Sequence, residues 1–177
     1  MNERGLRYME TSKNSIQGGS EPSFSEVRFT VYGDPVAKQR ARTVRQKTKS
    51  GKTFVKSFTP QKTASHEENI ALVYKSIYHD FKFPPDVPLR LYCDFYFPIP
   101  SKFQKKSVGK KMREAMLAGD VRPLVRNDAD NCLKTVADAG NGVMYEDDGQ
   151  IVEMTARKFF SDDPRTEIFL ARIDNEE

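Results

Sequence analysis

Leu89-Arg90-Leu91-Tyr92-Cys93-Asp94-Phe95-Tyr96-Phe97-Pro98 alternates without interruption. In an extended chain Leu89, Leu91, Cys93, Phe95 and Phe97 share one side, and Arg90, Tyr92, Asp94 and Tyr96 the other. A period of two predicts a half-buried strand stopped by Pro98. The segment before it has a different period: Ile70, Val73, Tyr74, Ile77 and Phe81 recur at helical spacing. They run from an N-cap and first-turn proline at Thr59-Pro60 to a stop at Pro84-Pro85. Earlier still, Val27, Phe29 and Val31 alternate with Arg28, Thr30 and Tyr32, a first strand ended by Gly33-Asp34-Pro35. Downstream, a short helix closing near Gly119 turns Val108, Met112 and Met116 inward, and another from about Ala129 to Ala139 stops at Gly140-Asn141-Gly142. Gln150 to Phe160 and Thr166 to Ile173 flank the turn residues Ser161, Asp162, Asp163 and Pro164, which predicts a hairpin. The sum is an α+β fold: a single domain with a mixed or partly antiparallel sheet packed with helices.

A chain of 177 residues with 37% hydrophobic content supports one core and no second. Ser, Gly, Asn and Glu dominate residues 1–25, so this stretch is expected to be a disordered extension, with the folded domain at residues 26–175. Cys93 and Cys132 sit in apolar-patterned segments and match no zinc spacing, which points to reduced thiols. Met1 to Glu10 lacks the apolar centre of a signal peptide, and no stretch is long enough to span a bilayer. The expectation is a cytoplasmic protein with no membrane partner.

The net charge of +4 conceals a segregation, since 29 Lys and Arg oppose 25 Asp and Glu. Between Pro35 and His66 stand Lys38, Arg40, Arg42, Arg45, Lys47, Lys49, Lys52, Lys56 and Lys62 with no carboxylate among them, in what reads as a loop or ribbon. A second acid-free block holds Lys102, Lys105, Lys106, Lys110, Lys111 and Arg113. One charge run is commonly a solvated face; two acid-free blocks favour a polyanionic partner.

Acids concentrate elsewhere. Arg126-Asn127-Asp128-Ala129-Asp130-Asn131 is followed by Lys134 and Asp138, then by Glu146-Asp147-Asp148. Carboxylates so crowded repel one another, and a hard divalent cation turns the crowding favourable; Mg²⁺, which keeps waters and reaches phosphate, is the natural occupant. Asp128 and Asp130 would straddle the positive end of a helix, with Lys134 one turn beyond Asp130 on the same face. Plain alternatives exist for each part. Asp128-x-Asp130 reads equally as a capping pair, Asp147-Asp148-Gly149 as a turn, and Lys134 as an ion-pair partner for Asp130 or Asp138. A calcium loop is excluded because Cys132 and Leu133 stand where Asp or Asn and Gly are needed. A nucleophilic triad is excluded because His66 and His79, the only histidines, lie in a predicted helix far along the chain from any motif serine or cysteine.

In order and spacing, Asp128-Ala129-Asp130-Asn131, Lys134, Asp138-Ala139, Asn141-Gly142, Asp147-Asp148 and Gln150-Ile151 resemble the D-x-D-N-x-x-K, D-A-x-N-G and D-D-x-Q-I blocks of the RusA-type Holliday junction resolvases. A weaker likeness covers Gly33-Asp34-Pro35 with Lys38, Arg40 and Arg42, so the resemblance runs from about Val27 to Ile173. It implies a homodimeric endodeoxyribonuclease that uses Mg²⁺, with Mn²⁺ as a substitute, to make paired symmetric nicks across four-way junctions in DNA recombination and repair. By the same resemblance Asp128, Asp130 and Asp148 are metal-binding and catalytic carboxylates, Asp147 joins them at the metal, and Lys134 is the catalytic or phosphate-contacting lysine. The expected DNA contacts are Lys38, Arg40, Arg42, Lys105, Lys110, Lys111 and Arg126. The partners implied are branched DNA, chiefly four-way junctions, and a second copy of the chain. Two other readings stay open: a non-catalytic branched-DNA binding protein with a structural metal site, and a nuclease for flaps or forks. The sequence departs from the family at Asn127, where proline is common, and at Gly140, where a larger apolar residue is usual, which leaves the end of that helix open.

Overall fold

The computed structural model describes residues 24–40, 42–47, 53–104, 109–124 and 127–173. The expectations for most of the N-terminal extension, Lys105, Val108 and Arg126 lie outside these residues, as does the side chain of Arg42. In chain order the elements are β1 (Glu26–Tyr32), β2 (Arg42–Lys47), β3 (Thr53–Phe58), α1 (Gln61–Tyr78), β4 (Leu89–Pro98), α2 (Lys110–Ala118), α3 (Ala129–Gly140), β5 (Ile151–Ser161) and β6 (Arg165–Arg172). Single-turn 3-10 helices lie at Ser101–Phe103 and Asp148–Gln150.

β4 is organised by its alternation: Leu89, Leu91, Cys93 and Phe95 are buried and Phe97 is partly so, while Tyr92 is exposed. A strand buried this completely on one face needs a neighbour along each edge to satisfy its backbone. β6 pairs with it antiparallel and β5 parallel, giving the order β1-β6-β4-β5 with β1 antiparallel to β6. The fold is therefore α+β with a four-stranded mixed sheet, in one domain. The first basic block forms a separate antiparallel ribbon of β2 and β3.

The expected hairpin at the end of the chain does not form. β5 and β6 run in opposite directions, but β4 lies between them. Turn residues signal that a chain reverses, not that the strands on either side are neighbours. Here Asp162, Asp163 and Pro164 carry the chain past the end of β4, and β5 is reached from β4 by a crossover through α2 and α3.

α1 and α3 pack against each other, α1 on β1 and α3 on β5. α1 ends at Tyr78, short of Phe81, because His79 takes a left-handed backbone with φ 56°. Phe81 then folds back against the core, whereas Ile77, expected inward, is exposed. Likewise in α2 Met116 is buried but Met112 points out. α3 extends through Gly140, and the reason is local: a Cβ there would lie 2.3 Å from Tyr145 Oη. Only glycine lets the buried Tyr145 ring lie against the helix, where its hydroxyl donates to the Ala137 carbonyl at 2.6 Å.

Candidate active site

Asp128 is the N-cap of α3, and Asp130 lies in its first turn. An aspartate at this position ordinarily accepts a hydrogen bond from an amide of the first turn. Asp128 does not: its side chain makes no capping bond. Both carboxylates are exposed at a helix end whose free amides favour negative charge. Lys134, one turn further, is exposed and forms no ion pair with Asp130, Asp138 or any other described residue.

The second acidic pair divides its labour. Asp147 caps the 3-10 helix Asp148–Gln150, its Oδ1 accepting from the Gly149 amide at 2.8 Å. Gln150 completes the arrangement by accepting from the Glu146 amide at 2.9 Å and donating to the Pro84 carbonyl at 2.7 Å. That bond fixes the turn to the loop before β4. Asp148 is half-buried and has no hydrogen-bond or ion-pair partner among the described residues, so of the two it is the one with free oxygens.

Three groups of the buried core link the two pairs electrostatically. The Cys132 thiol is pushed up to about 12 by burial, Lys158 opposing and Asp128 and Asp130 reinforcing the shift. Tyr145 is raised by burial and then by Asp148, Cys93, Asp138 and Asp147. Cys93, fully buried, is raised by burial, with Asp94 and Cys132 adding to it. The fields of the Asp128/Asp130 pair and the Asp147/Asp148 pair thus reach adjoining members of one buried cluster, and the 3-10 helix packs directly on α3. Among the described residues, however, no group of three or more His, Cys, Asp or Glu side chains is arranged to hold a metal ion. The donors present are all carboxylate oxygens. Mg²⁺ and Mn²⁺ accept one or two carboxylates together with waters and phosphate oxygens, and the donor set fits that requirement.

Of the expected DNA contacts, Lys38 has another engagement. Its ammonium lies 2.6 Å from Glu67 Oε1 and 2.5 Å from Asp138 Oδ2, tying the start of the basic segment to α1 and α3. Burial lowers its pKa, and the two carboxylates more than offset this and leave it raised. Arg40 is exposed at the foot of the ribbon. Lys110 and Lys111 are exposed in the first turn of α2, where the helix dipole disfavours cations; Lys110 has only a 3.9 Å approach to Glu114.

Two further residues belong to this site: Asn127, which the sequence marks only as a departure from the family pattern, and Lys158, which no motif singles out. Lys158, on β5, donates to the Asn127 carbonyl at 3.3 Å, and Asn127 Nδ2 donates to the Pro35 carbonyl at 3.1 Å. For Lys158 a signal is present. Met154, Ala156, Lys158 and Phe160 pair with Leu91, Cys93, Phe95 and Phe97 and so share the helix-facing side, a lone lysine in an apolar series.

Residues 32–171 match the family described as Endodeoxyribonuclease RusA. The chain is also 33% identical over 147 residues to a Bacillus subtilis (strain 168) protein described as "Uncharacterized protein YqaN", a match covering 83% of this chain and 96% of that one. The match makes the protein a nuclease by family: the chain belongs to the RusA endodeoxyribonuclease family, whose members resolve Holliday junctions and depend in general on a divalent metal. No helix among the described residues is long and apolar enough to cross a membrane.

Proposed function

We propose that this protein is a Mg²⁺-dependent endodeoxyribonuclease that cuts four-way DNA junctions by paired, symmetric phosphodiester hydrolysis, with Mn²⁺ able to substitute. The observation that carries the reading is the uncapped N-cap. Asp128 occupies the position where a purely structural aspartate would bond the helix amides, and instead makes no capping bond and stands exposed beside Asp130. Asp128, Asp130 and Asp148 would hold the metal, with Asp147 positioning its neighbour through the 3-10 cap. A bound divalent ion supplies charge neutralisation at the phosphate and a more acidic water. Lys134 adds a fixed positive charge against the developing phosphorane and can hold the phosphate in place. Arg40, Lys110 and Lys111, with Arg42 and Lys105 in the same basic segments and Arg126 two residues before Asp128, bind backbone phosphates along the arms. Lys38 serves as an internal tie.

A junction offers two equivalent strands, and a chain with one acidic cluster supplies two centres most simply as a C2 dimer. Sedimentation at assay concentration is expected to show the dimer; paired nicking by a monomer would remove this part of the reading.

The decisive experiment uses an end-labelled four-way junction with the wild type, Asp130→Asn and Asp148→Asn, in Mg²⁺ and in EDTA. The wild type is expected to cut only with the metal, and the variants to bind the junction and leave it intact. A variant that nicks at the wild-type rate is not at the metal. Binding without cleavage by the wild type would leave a non-catalytic junction binder, and preference for flaps or forks in competition would reassign the substrate.

A further inference from the structure

Asn127, immediately before Asp128, has a left-handed backbone with φ 53°. Asparagine tolerates this region better than most side chains, and proline, which fixes φ near −65°, cannot enter it. The residue is gripped from two directions. Its side chain donates to the Pro35 carbonyl, and its own carbonyl accepts from Lys158 Nζ. Just beyond, the Lys38 amide donates to the Asn131 carbonyl at 2.8 Å, so the segment that leads into the basic ribbon is laced along the start of α3. Lys158 is half-buried and has no carboxylate partner among the described residues; the one hydrogen bond its ammonium makes there is to Asn127. Burying an ammonium costs free energy, and a single carbonyl offsets little of that.

We propose that Asn127 and Lys158 are positioning residues for Asp128. Lys158 draws the Asn127 carbonyl toward β5 while Pro35 holds the side chain, and the left-handed backbone between these anchors keeps the Asp128 carboxylate off the helix amides, where it would be available to a cation. The inference rests on the metal reading above. It makes a prediction that charge alone reverses: the Lys158 ammonium, close enough to act on the same thiol as Asp128 and Asp130, repels a divalent ion. Simple removal of its charge would therefore tighten metal binding, whereas release of the clamp loosens it.

The experiment is calorimetric titration of the full chain with Mn²⁺, together with single-turnover cleavage of a four-way junction and junction binding in EDTA. Lys158→Met and Asn127→Ala are expected to bind Mn²⁺ about 10-fold or more weakly, the range seen when groups supporting metal ligands are removed. Lys158→Arg, which still donates to the carbonyl, should restore most of the affinity. Asn127→Gly, which keeps the backbone accessible but loses the Pro35 bond, should fall between; it also serves if the alanine variant does not fold. Junction binding in EDTA should not change. Wild-type or tighter Mn²⁺ binding by Lys158→Met, or weakened junction binding in EDTA, overturns the proposal, the latter in favour of a direct phosphate contact. Asp128→Asn separates the two levels. If it weakens Mn²⁺ binding and the clamp variants do not, the clamp alone fails; if it binds Mn²⁺ as the wild type does, the metal assignment fails and the clamp with it.

Discussion

At Gly140 a hydrogen stands where any other residue would carry a side chain, and the molecule has filled the space. Tyr145 is buried against that glycine with its hydroxyl on Ala137, leaving a new methyl group 2.4 Å from Cζ of a ring that cannot retreat. Gly140→Ala should therefore destabilise the fold, despite the higher helix propensity of alanine, by about 1–3 kcal/mol, the usual range for overpacking. Urea unfolding checks this, and an unchanged midpoint would show that the ring can shift. The sequence alone leaves the end of α3 open at this residue because the partner that decides it, Tyr145, reads as an ordinary apolar position after a turn. The neighbouring aspartates show the opposite. Asp147-Asp148-Gly149 is legible as a turn or as two metal ligands, and the structure separates the two residues: Asp147 caps, and Asp148 has no partner among the described residues.

Among the elements, those defined by pattern are readable: β1, β4 and α3 fall where they are expected, and α1 does so up to its last turn, which stops at Tyr78 short of Phe81. Adjacency is not readable, because the choice between pairing β5 with β6 and inserting β4 between them depends on which backbone edges remain unsatisfied after the helices dock. The basic ribbon is legible as an acid-free block, but the division of roles within it is not. Lys38 is spent on Glu67 and Asp138, and neither carboxylate is near it in sequence. Lys38→Met should accordingly lower stability by about 1–2 kcal/mol, between the limits for exposed and buried pairs, and leave the salt dependence of DNA binding nearly unchanged. Neutralising Arg40, Lys110 and Lys111 together should do the reverse, weakening binding to any DNA sequence and reducing the slope of log affinity against log salt by up to about 0.9 for each phosphate no longer neutralised. Equilibrium binding at several salt concentrations separates the two cases; an unchanged slope in the triple variant would show that these cations do not meet phosphates.

For the molecule as a whole, the buried weak acids set an alkaline limit. Tyr74 and Tyr96 are raised by burial, Tyr96 to about 12, and Cys93 lies well above its ordinary value of 9.0. A group whose pKa is higher folded than unfolded stabilises fully below the unfolded value, and that contribution disappears as pH rises toward the folded one. Melting temperature should thus hold to about pH 9 and fall steadily beyond pH 10, as the unfolded chain releases protons that the folded one retains. Tyr74→Phe should flatten the fall, and thermal melts from pH 7 to 11 test both; a constant melting temperature would mean that these groups become solvated without unfolding. The sheet order carries a further consequence, for synthesis. β6 is last in the chain order yet stands between β1 and β4, so until Arg172 has emerged from the ribosome β1 has no partner and β4 lacks one neighbour. A nascent chain with Asp128, Asp130 and Asp148 already polymerised has at most the β4–β5 pair on which to set α3. The complete four-stranded platform is thus assembled only once β6 is available.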